Sequence, residues 1–309
     1  NKDISLGLLL SIEAYHHADT MDARSSLLRL IQTEPLLRFY INGHTDKVSS
    51  VAISPDGKTI ASASGDTTIG LWDMATGNPV RSALLGHTKG VLTVAFSPDG
   101  RYLASGAEDG QVHLWDVAQG YSYQILLTKY AWVYALAFSP DGKYLAASFT
   151  DKSVVLWDMT DQSMTCPSIN GVSESQVFTV LAFSPDSKTL AVGTDYGQLT
   201  FWNPATCQLN GEAINTSQLA KITDPGEIGE VTSMAYSPDG KQLAIGKTDH
   251  LLMLDTITLQ PLFESTVIHR NYRIQSIAYS PDSRTMALGL ADKSIVLIDS
   301  ATGQPIGQP

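Results

Sequence analysis

Positive charge is what this sequence most lacks. It sets 20 Lys and Arg against 31 Asp and Glu, a formal net charge of −11. An acidic surface repels phosphate backbones and anionic bilayers alike, so neither nucleic acid nor membrane is an expected partner, and no Lys/Arg run marks a local exception. Cysteine is nearly absent. Cys166 and Cys207 have no metal-ligand spacing and suggest no disulfide framework; they read as free thiols in a reducing, cytoplasmic setting. No apolar stretch reaches the roughly 18 residues a spanning helix needs. The first residues lack the basic start and cleavage site of a signal peptide. Because the chain begins at Asn1 rather than Met, a fragment of a longer protein is expected. With 17% charged and 43% hydrophobic residues the composition is globular, and 309 residues suffice for one large all-β domain or two smaller ones.

Catalytic motifs are missing as well. The nearest string to a phosphate loop, Gly240…Gly246-Lys247-Thr248, is one residue too long and lies among strands and turns rather than ahead of a helix. There is no Gly-x-Ser-x-Gly elbow, His-Glu-x-x-His pair or calcium loop. His16 and His17 are adjacent, so on a helix they point to different sides and make poor co-ligands. No catalytic residue, cofactor or metal ligand is expected.

What is present is a repeat. Ser-Pro-Asp-Gly/Ser occurs six times, starting at Ser54, Ser97, Ser139, Ser184, Ser237 and Ser280, at intervals of 43, 42, 45, 53 and 43 residues. Two residues before each Ser stands an Ala (Ala52, Ala95, Ala137, Ala182, Ala235, Ala278). Seven residues after it stands another (Ala61, Ala104, Ala146, Ala191, Ala244, Ala287). In the first unit Val48–Ile53, Thr59–Ala63, Thr68–Trp72 and a segment near Val80–Leu85 read as strands, separated by turns at Ser54-Pro55-Asp56-Gly57, Asp66 and Ala75-Thr76-Gly77. Four antiparallel strands in about 43 residues make one propeller blade, and the small alanines suit inner strands crowding around a channel.

Gly43-His44 and Gly86-His87 open the first two units, and Trp72-Asp73, Trp115-Asp116 and Trp157-Asp158 close the first three. On these motifs the chain resembles the WD-repeat family, over residues of about 36–309. The resemblance implies an all-β propeller of six four-stranded blades and a buried His, Ser/Thr, Asp and Trp tetrad in each ideal blade. Two units match it fully: His44, Ser62, Asp66, Trp72 and His87, Ser105, Asp109, Trp115. A His/Ser/Asp set invites a catalytic-triad interpretation, but its repetition beside a Trp marks it as structural. Later units decay. The third has Lys129, Ala147, Asp151 and Trp157; the fourth has Tyr196 in the Asp place and Trp202-Asn203; the last two end in Leu254-Asp255 and Ile298-Asp299 and should rely on packing.

Leu36–Ile41 fits an outer strand that would complete the sixth blade and close the ring, although Ala301-Thr302-Gly303-Gln304-Pro305-Ile306 repeats the passage Ala75-Thr76-Gly77-Asn78-Pro79-Val80 and equally suits a link into further blades. Gly211–Gly229 carries the surplus of the longest interval and reads as an extended loop.

Residues 1–35 form a separate helical segment: Asp3–Ala18 and a second helix from Thr20 to about Thr33, ended by Pro35. Leu8-Leu9-Leu10-Ser11-Ile12-Glu13-Ala14-Tyr15, Ala23-Arg24 and Leu27-Leu28, leading into a WD-repeat ring, resemble the linker of bacterial STAND-type signalling ATPases. That resemblance implies a covalently attached upstream nucleotide-binding domain, with this chain as its sensor. The Trp-Asp-x-Arg pattern of ubiquitin-ligase substrate receptors is absent.

The loops entering the first strands should line one face. There the sequence places Lys47, Ser49, Lys89, Leu92, Trp132, Tyr134, Tyr196, Tyr272 and Arg273. Trp132 is the one Trp of five outside the closing position, and Trp, Tyr and Arg are enriched at binding hot spots. The expected function is non-catalytic recognition of a protein or peptide on that face, as the sensor domain of a larger signalling ATPase; the alternatives are a free-standing assembly scaffold and, more remotely, a propeller enzyme.

Overall fold

The computed structural model describes residues 41–170, 178–219, 229–248, 250–265, 273–292 and 294–306. The helices expected within 1–35, and all but the last residue of the strand expected at Leu36–Ile41, lie outside them. The described residues fall into two compact units that divide after Asn170.

Every repeat forms one antiparallel sheet. In the first unit blade one comprises Val48–Ile53, Thr59–Ser64 and Ile69–Asp73; blade two, Val91–Phe96, Tyr102–Ala107, Gln111–Asp116 and Ser122–Thr128; blade three, Val133–Phe138, Tyr144–Phe149, Ser153–Asp158 and Ser163–Asn170. In the second unit blade four comprises Phe178–Phe183, Leu190–Thr194 and Gln198–Asn203, with an outer edge split into Gln208–Leu209 and Ile214–Asn215. Blade five comprises Val231–Tyr236, Gln242–Lys247, Leu251–Asp255 and Pro261–Ser265; blade six, Ile274–Tyr279, Thr285–Leu290 and Ile295–Asp299. The fold is all-β, the six-bladed propeller type. One helical turn, Thr216–Leu219, follows the split edge.

The two alanine rows are cross-strand partners. Ala52 faces Ala61, Ala95 faces Ala104, and the same pairing recurs in every blade through Ala278 and Ala287. The second-strand member is fully buried in all six. Between them the Ser-Pro-Asp turn is built identically each time. In blade one Ser54 Oγ donates to Asp56 Oδ1 (2.6 Å) and accepts from Thr59 N–H (2.9 Å), while Asp56 Oδ1 accepts from Lys58 N–H (3.1 Å). Pro55 presets the turn, and Gly57 takes the left-handed φ of 70° that closes it. Each inner strand also opens on a β-bulge, at Val48/Ser50, Val91/Thr93, Val133/Ala135, Phe178/Val180, Val231/Ser233 and Ile274/Ser276. Apolar clusters join neighbouring sheets within a unit: Leu71, Leu84, Leu103 and Trp115 between blades one and two, Leu199, Phe201, Leu243 and Leu254 between four and five.

Three expectations need correction. Val80–Leu85 forms no strand. Blade one keeps only bridges at Ile69–Leu84 and Trp72–Pro79, because Pro79 has no N–H to donate and the chain bends between them; Pro305 makes the corresponding bridge to Ile298 in blade six. The surplus in blade four is not wholly loop, since Ile214 and Asn215 pair with Leu199 and Gln198. Neither cysteine is a free thiol: Cys166 and Cys207 are both disulfide-bonded.

Candidate interaction face

At the end of the sheets opposite the Ser-Pro-Asp turns, the tetrads fix the loops that enter the inner strands. In blade one Trp72 Nε1 donates to Ser62 Oγ (2.7 Å), Ser62 Oγ donates to His44 Nε2 (2.7 Å), and His44 Nδ1 donates to Asp66 Oδ2 (2.9 Å). Asp66 also accepts from Thr45 N–H (2.9 Å) and Thr68 Oγ1 (2.7 Å). Blade two repeats the chain through Trp115, Ser105 (2.8 Å), His87 (2.8 Å) and Asp109 (3.1 Å). Burial raises the pKa of both carboxyls, but hydrogen bonds, from Thr45, Thr68 and His44 on Asp66 and from His87, Thr88 and Gln111 on Asp109, overcome it and bring each down to about 2. Ser62 and Ser105 are buried, and each hydroxyl oxygen already accepts an indole N–H. These serines cannot approach a substrate carbonyl, so the set is a brace rather than a triad.

Blade three replaces the tetrad by an ion pair. Lys129 Nζ donates to Asp151 Oδ2 (3.0 Å) and Ser153 Oγ (2.6 Å) and lies 4.7 Å from the Phe149 ring centroid. Blade four has Val192 in the Ser place, and Trp202 Nε1 turns instead to Thr200 Oγ1 (2.9 Å). In blades five and six Leu254 and Ile298, in the Trp place, are fully buried.

Lys129 and Thr150 hold the loop into blade three at both ends. Trp132 N–H donates to Thr150 Oγ1 (2.9 Å), and Thr150 N–H donates to Trp132 C=O (3.0 Å). On this pinned loop Trp132 is 48% exposed, and Tyr134, the bulged residue of the inner strand, 42%. Tyr130 projects fully into solvent; sequence reasoning missed it, although its place two residues before Trp132 could have flagged it. Lys47, just before the inner strand of blade one, and Lys89, two residues before that of blade two, are exposed. Leu92 is half-buried, and the Ser49 hydroxyl is buried. In the second unit Tyr196 is 44% exposed, and Arg273 is tied to Glu230 (2.7 Å). Tyr272 lies outside the described residues.

A second missed residue is His113, two positions before Trp115. Its buried ring stacks on His87 (centroids 3.9 Å apart) and on Tyr123 (4.5 Å). The corresponding residue of blade one is Gly70, so no repeat rule pointed to it. Among the described residues no group of three or more His, Cys, Asp or Glu is arranged to hold a metal ion.

Known proteins match this architecture. The family model described as IFT122 first beta-propeller matches residues 25–223, and that described as WD domain, G-beta repeat matches residues 219–254. A WD repeat-containing protein of Synechocystis is 43% identical over 25% of this chain and 20% of its own length. The Notchless protein homolog of Arabidopsis thaliana is 35% identical over 24% of this chain and 17% of its own. Protein Mut11 of Chlamydomonas reinhardtii is 50% identical over 14% of this chain and 11% of its own. The matched stretches thus span a fifth or less of these relatives. The turns, alanine pairs and tetrads of the six sheets, together with a family match over most of the sequence, make this chain a member of the WD40-repeat β-propeller family, in its IFT122-first-propeller-like branch.

Proposed function

We propose that this chain recognises a polypeptide on the loop end of blades one to three, with Trp132 as the central anchor and Tyr130, Tyr134, Lys47 and Lys89 around it. WD40 propellers are generally non-catalytic protein-interaction platforms, which supports the class of function. The observation that carries the site is the half-exposed Trp132 on a loop fixed by Thr150 and Lys129. A rigid, amphipathic ring loses little entropy on binding, and this is what makes Trp a frequent hot spot. Tyr196, Tyr272 and Arg273 of the second unit are proposed separately as candidate contacts, with Arg273 acting as an Arg–Glu pair rather than as a lone cation.

The test is a random-peptide display selection on the immobilised chain. Trp132→Ala should weaken a selected peptide at least about tenfold, a loss of ~1.4 kcal/mol or more, without lowering the unfolding temperature. Undiminished binding would remove Trp132 from the site.

A narrower proposal is that the module is the sensor of a STAND-type signalling ATPase, with binding on this face shifting an upstream nucleotide switch. It rests on the likeness of residues 8–28 to that family's linker. The reading frame upstream of Asn1 decides it: a phosphate loop and a helical domain support the sensor, and their absence leaves an assembly scaffold.

A further inference from the structure

At the Ser-Pro-Asp end of the sheets, grooves run between neighbouring blades within each unit, and the chain places its own side chains in several of them. Between blades one and two the filler is Tyr121, held at φ 62° with its N–H bonded to Asp116 C=O (2.8 Å). Arg81 covers it, with its guanidinium carbon 5.4 Å from the ring centroid and Nη1 donating to Gly120 C=O. Between blades two and three Gln162 crosses the groove to the Tyr102 hydroxyl (3.1 Å) and to Gln124, which narrows it to a polar cavity of about 320 Å³ rather than sealing it. Between five and six Phe263 packs so closely on Gly303 that a Cβ there would lie 2.4 Å from the ring.

The groove between blades four and five lacks both halves of the Tyr121–Arg81 plug. Leu259 takes the place of Tyr121: φ is 55°, and its N–H bonds to Asp255 C=O (2.9 Å). Gly211 takes the place of Arg81. The residue before each marks the register, since Val80 N–H bonds Leu71 C=O and Asn210 N–H bonds Phe201 C=O, and Leu71 and Phe201 each precede the closing Trp. A Cβ on Gly211 would meet nothing within 4 Å. What remains is a cavity of about 470 Å³, lined by Phe201, Tyr236, Leu243, Ile257, Asp186 and Asp239 among others, within the range of about 300–1,000 Å³ usual for ligand sites.

We propose that this groove is a second docking site, and that its occupant is an aromatic side chain flanked by a basic one on a partner polypeptide, supplying what Tyr121 and Arg81 supply in the sister groove. The walls fit that chemistry. Tyr236 and Leu259, both half-buried, present apolar surface to a ring, backed by the buried Phe201 and Leu243. Asp186 and Asp239 each commit Oδ1 to their own turns. Among the described residues, the charged group near each Oδ2 is a Lys at 3.9 and 3.7 Å whose side chain is largely exposed, so a cation from the partner can engage it. The net charge of −11 favours a basic partner over an acidic one. Ile257, 89% exposed beside the groove, adds apolar contact at the rim.

The probe is the capped peptide acetyl-Arg-Gly-Tyr-Gly-Arg-amide, titrated into methyl-labelled protein and followed by NMR. Shifts should concentrate on Leu243, Ile257 and Leu259. Replacing the probe's Tyr by Ala, or both Arg by Glu, should weaken it at least about tenfold. Leu259→Tyr combined with Gly211→Arg rebuilds the plug inside the protein and should abolish the shifts. Ile257→Lys, at an exposed position that leaves folding intact, should weaken binding even if the double variant fails to fold. Trp132→Ala should leave the probe's affinity unchanged, which separates this site from the loop face. Shifts that map elsewhere, equal binding of the Glu peptide, or full binding to the Ile257→Lys variant would each overturn the proposal.

Discussion

At the scale of single residues, the braces carry stability. Each indole N–H and imidazole Nε2 in blades one and two depends on one serine oxygen. Removing it leaves two buried polar groups unpaired, a cost of about 1–3 kcal/mol each way. Ser62→Ala and Ser105→Ala should therefore both lower the urea midpoint, Ser105→Ala the more because Ser105 is the more deeply buried; unchanged midpoints would show that the hydrogen-bonded chain contributes nothing. His113 supplies a pH dependence. Burial, then the charge of the neighbouring His87, holds its pKa down to about 3 against an opposing pull from Asp109. In the unfolded chain the group takes up a proton below its ordinary 6.5; in the folded protein it does so only near 3. Its contribution is thus complete above pH 6.5 and is lost as pH falls through that interval. His113→Phe, which keeps a stackable ring, should flatten the fall in unfolding midpoint across this window. Asp66 and Asp109 act lower, between 3.8 and about 2, and so leave a second, separable decline.

Between elements, the contacts that matter are those from sheet to sheet. A Cβ on Gly106, in the second strand of blade two, would lie 2.3 Å from Val133 Cγ1 in the inner strand of blade three. Gly106→Ala should cost about 1–3 kcal/mol by overpacking, and combining it with Val133→Ala should recover part of that cost; strict additivity would mean the two strands do not meet there. The features readable from sequence were those the repeat imposes on every blade, the turn chemistry and the alanine pair, and the braces of the first two units, where the Gly-His and Trp-Asp motifs are intact. The outer passage of blade one escaped because its hydrophobic pattern suits a strand while Pro79 denies it a donor. Thr200 and His113 escaped because the position two before the Trp carries Gly70, His113, Val155 and Thr200 in blades one to four, and solves a different packing problem each time. Tyr121 and Leu259 hold equivalent places through their left-handed φ and their N–H bond to the closing Asp, which spacing does not reveal because the turn of blade two is one residue longer.

For the whole molecule, charge sets the range of partners. At −11, with an isoelectric point near 4.9, the chain should not retard duplex DNA in a gel-shift titration at about 0.15 M salt; retardation there would reveal a basic surface that the summed charge conceals. Proteins and peptides are the partners consistent with this field, and the two ends of the blades present them with different chemistry. One end offers aromatic rings on pinned loops; the other offers carboxylate-bearing turns beside grooves, of which those between blades one and two and between five and six carry fillers from the chain itself.

The bulge that opens every inner strand has an evolutionary consequence. It leaves one residue per blade outside the pairing ladder, among them Ser49, Leu92 and Tyr134. A substitution at such a site changes no cross-strand partner and shifts no register. Successive blades can therefore exchange side chains at the bulge independently, and new specificity can arise one residue at a time while the sheets that support it stay the same.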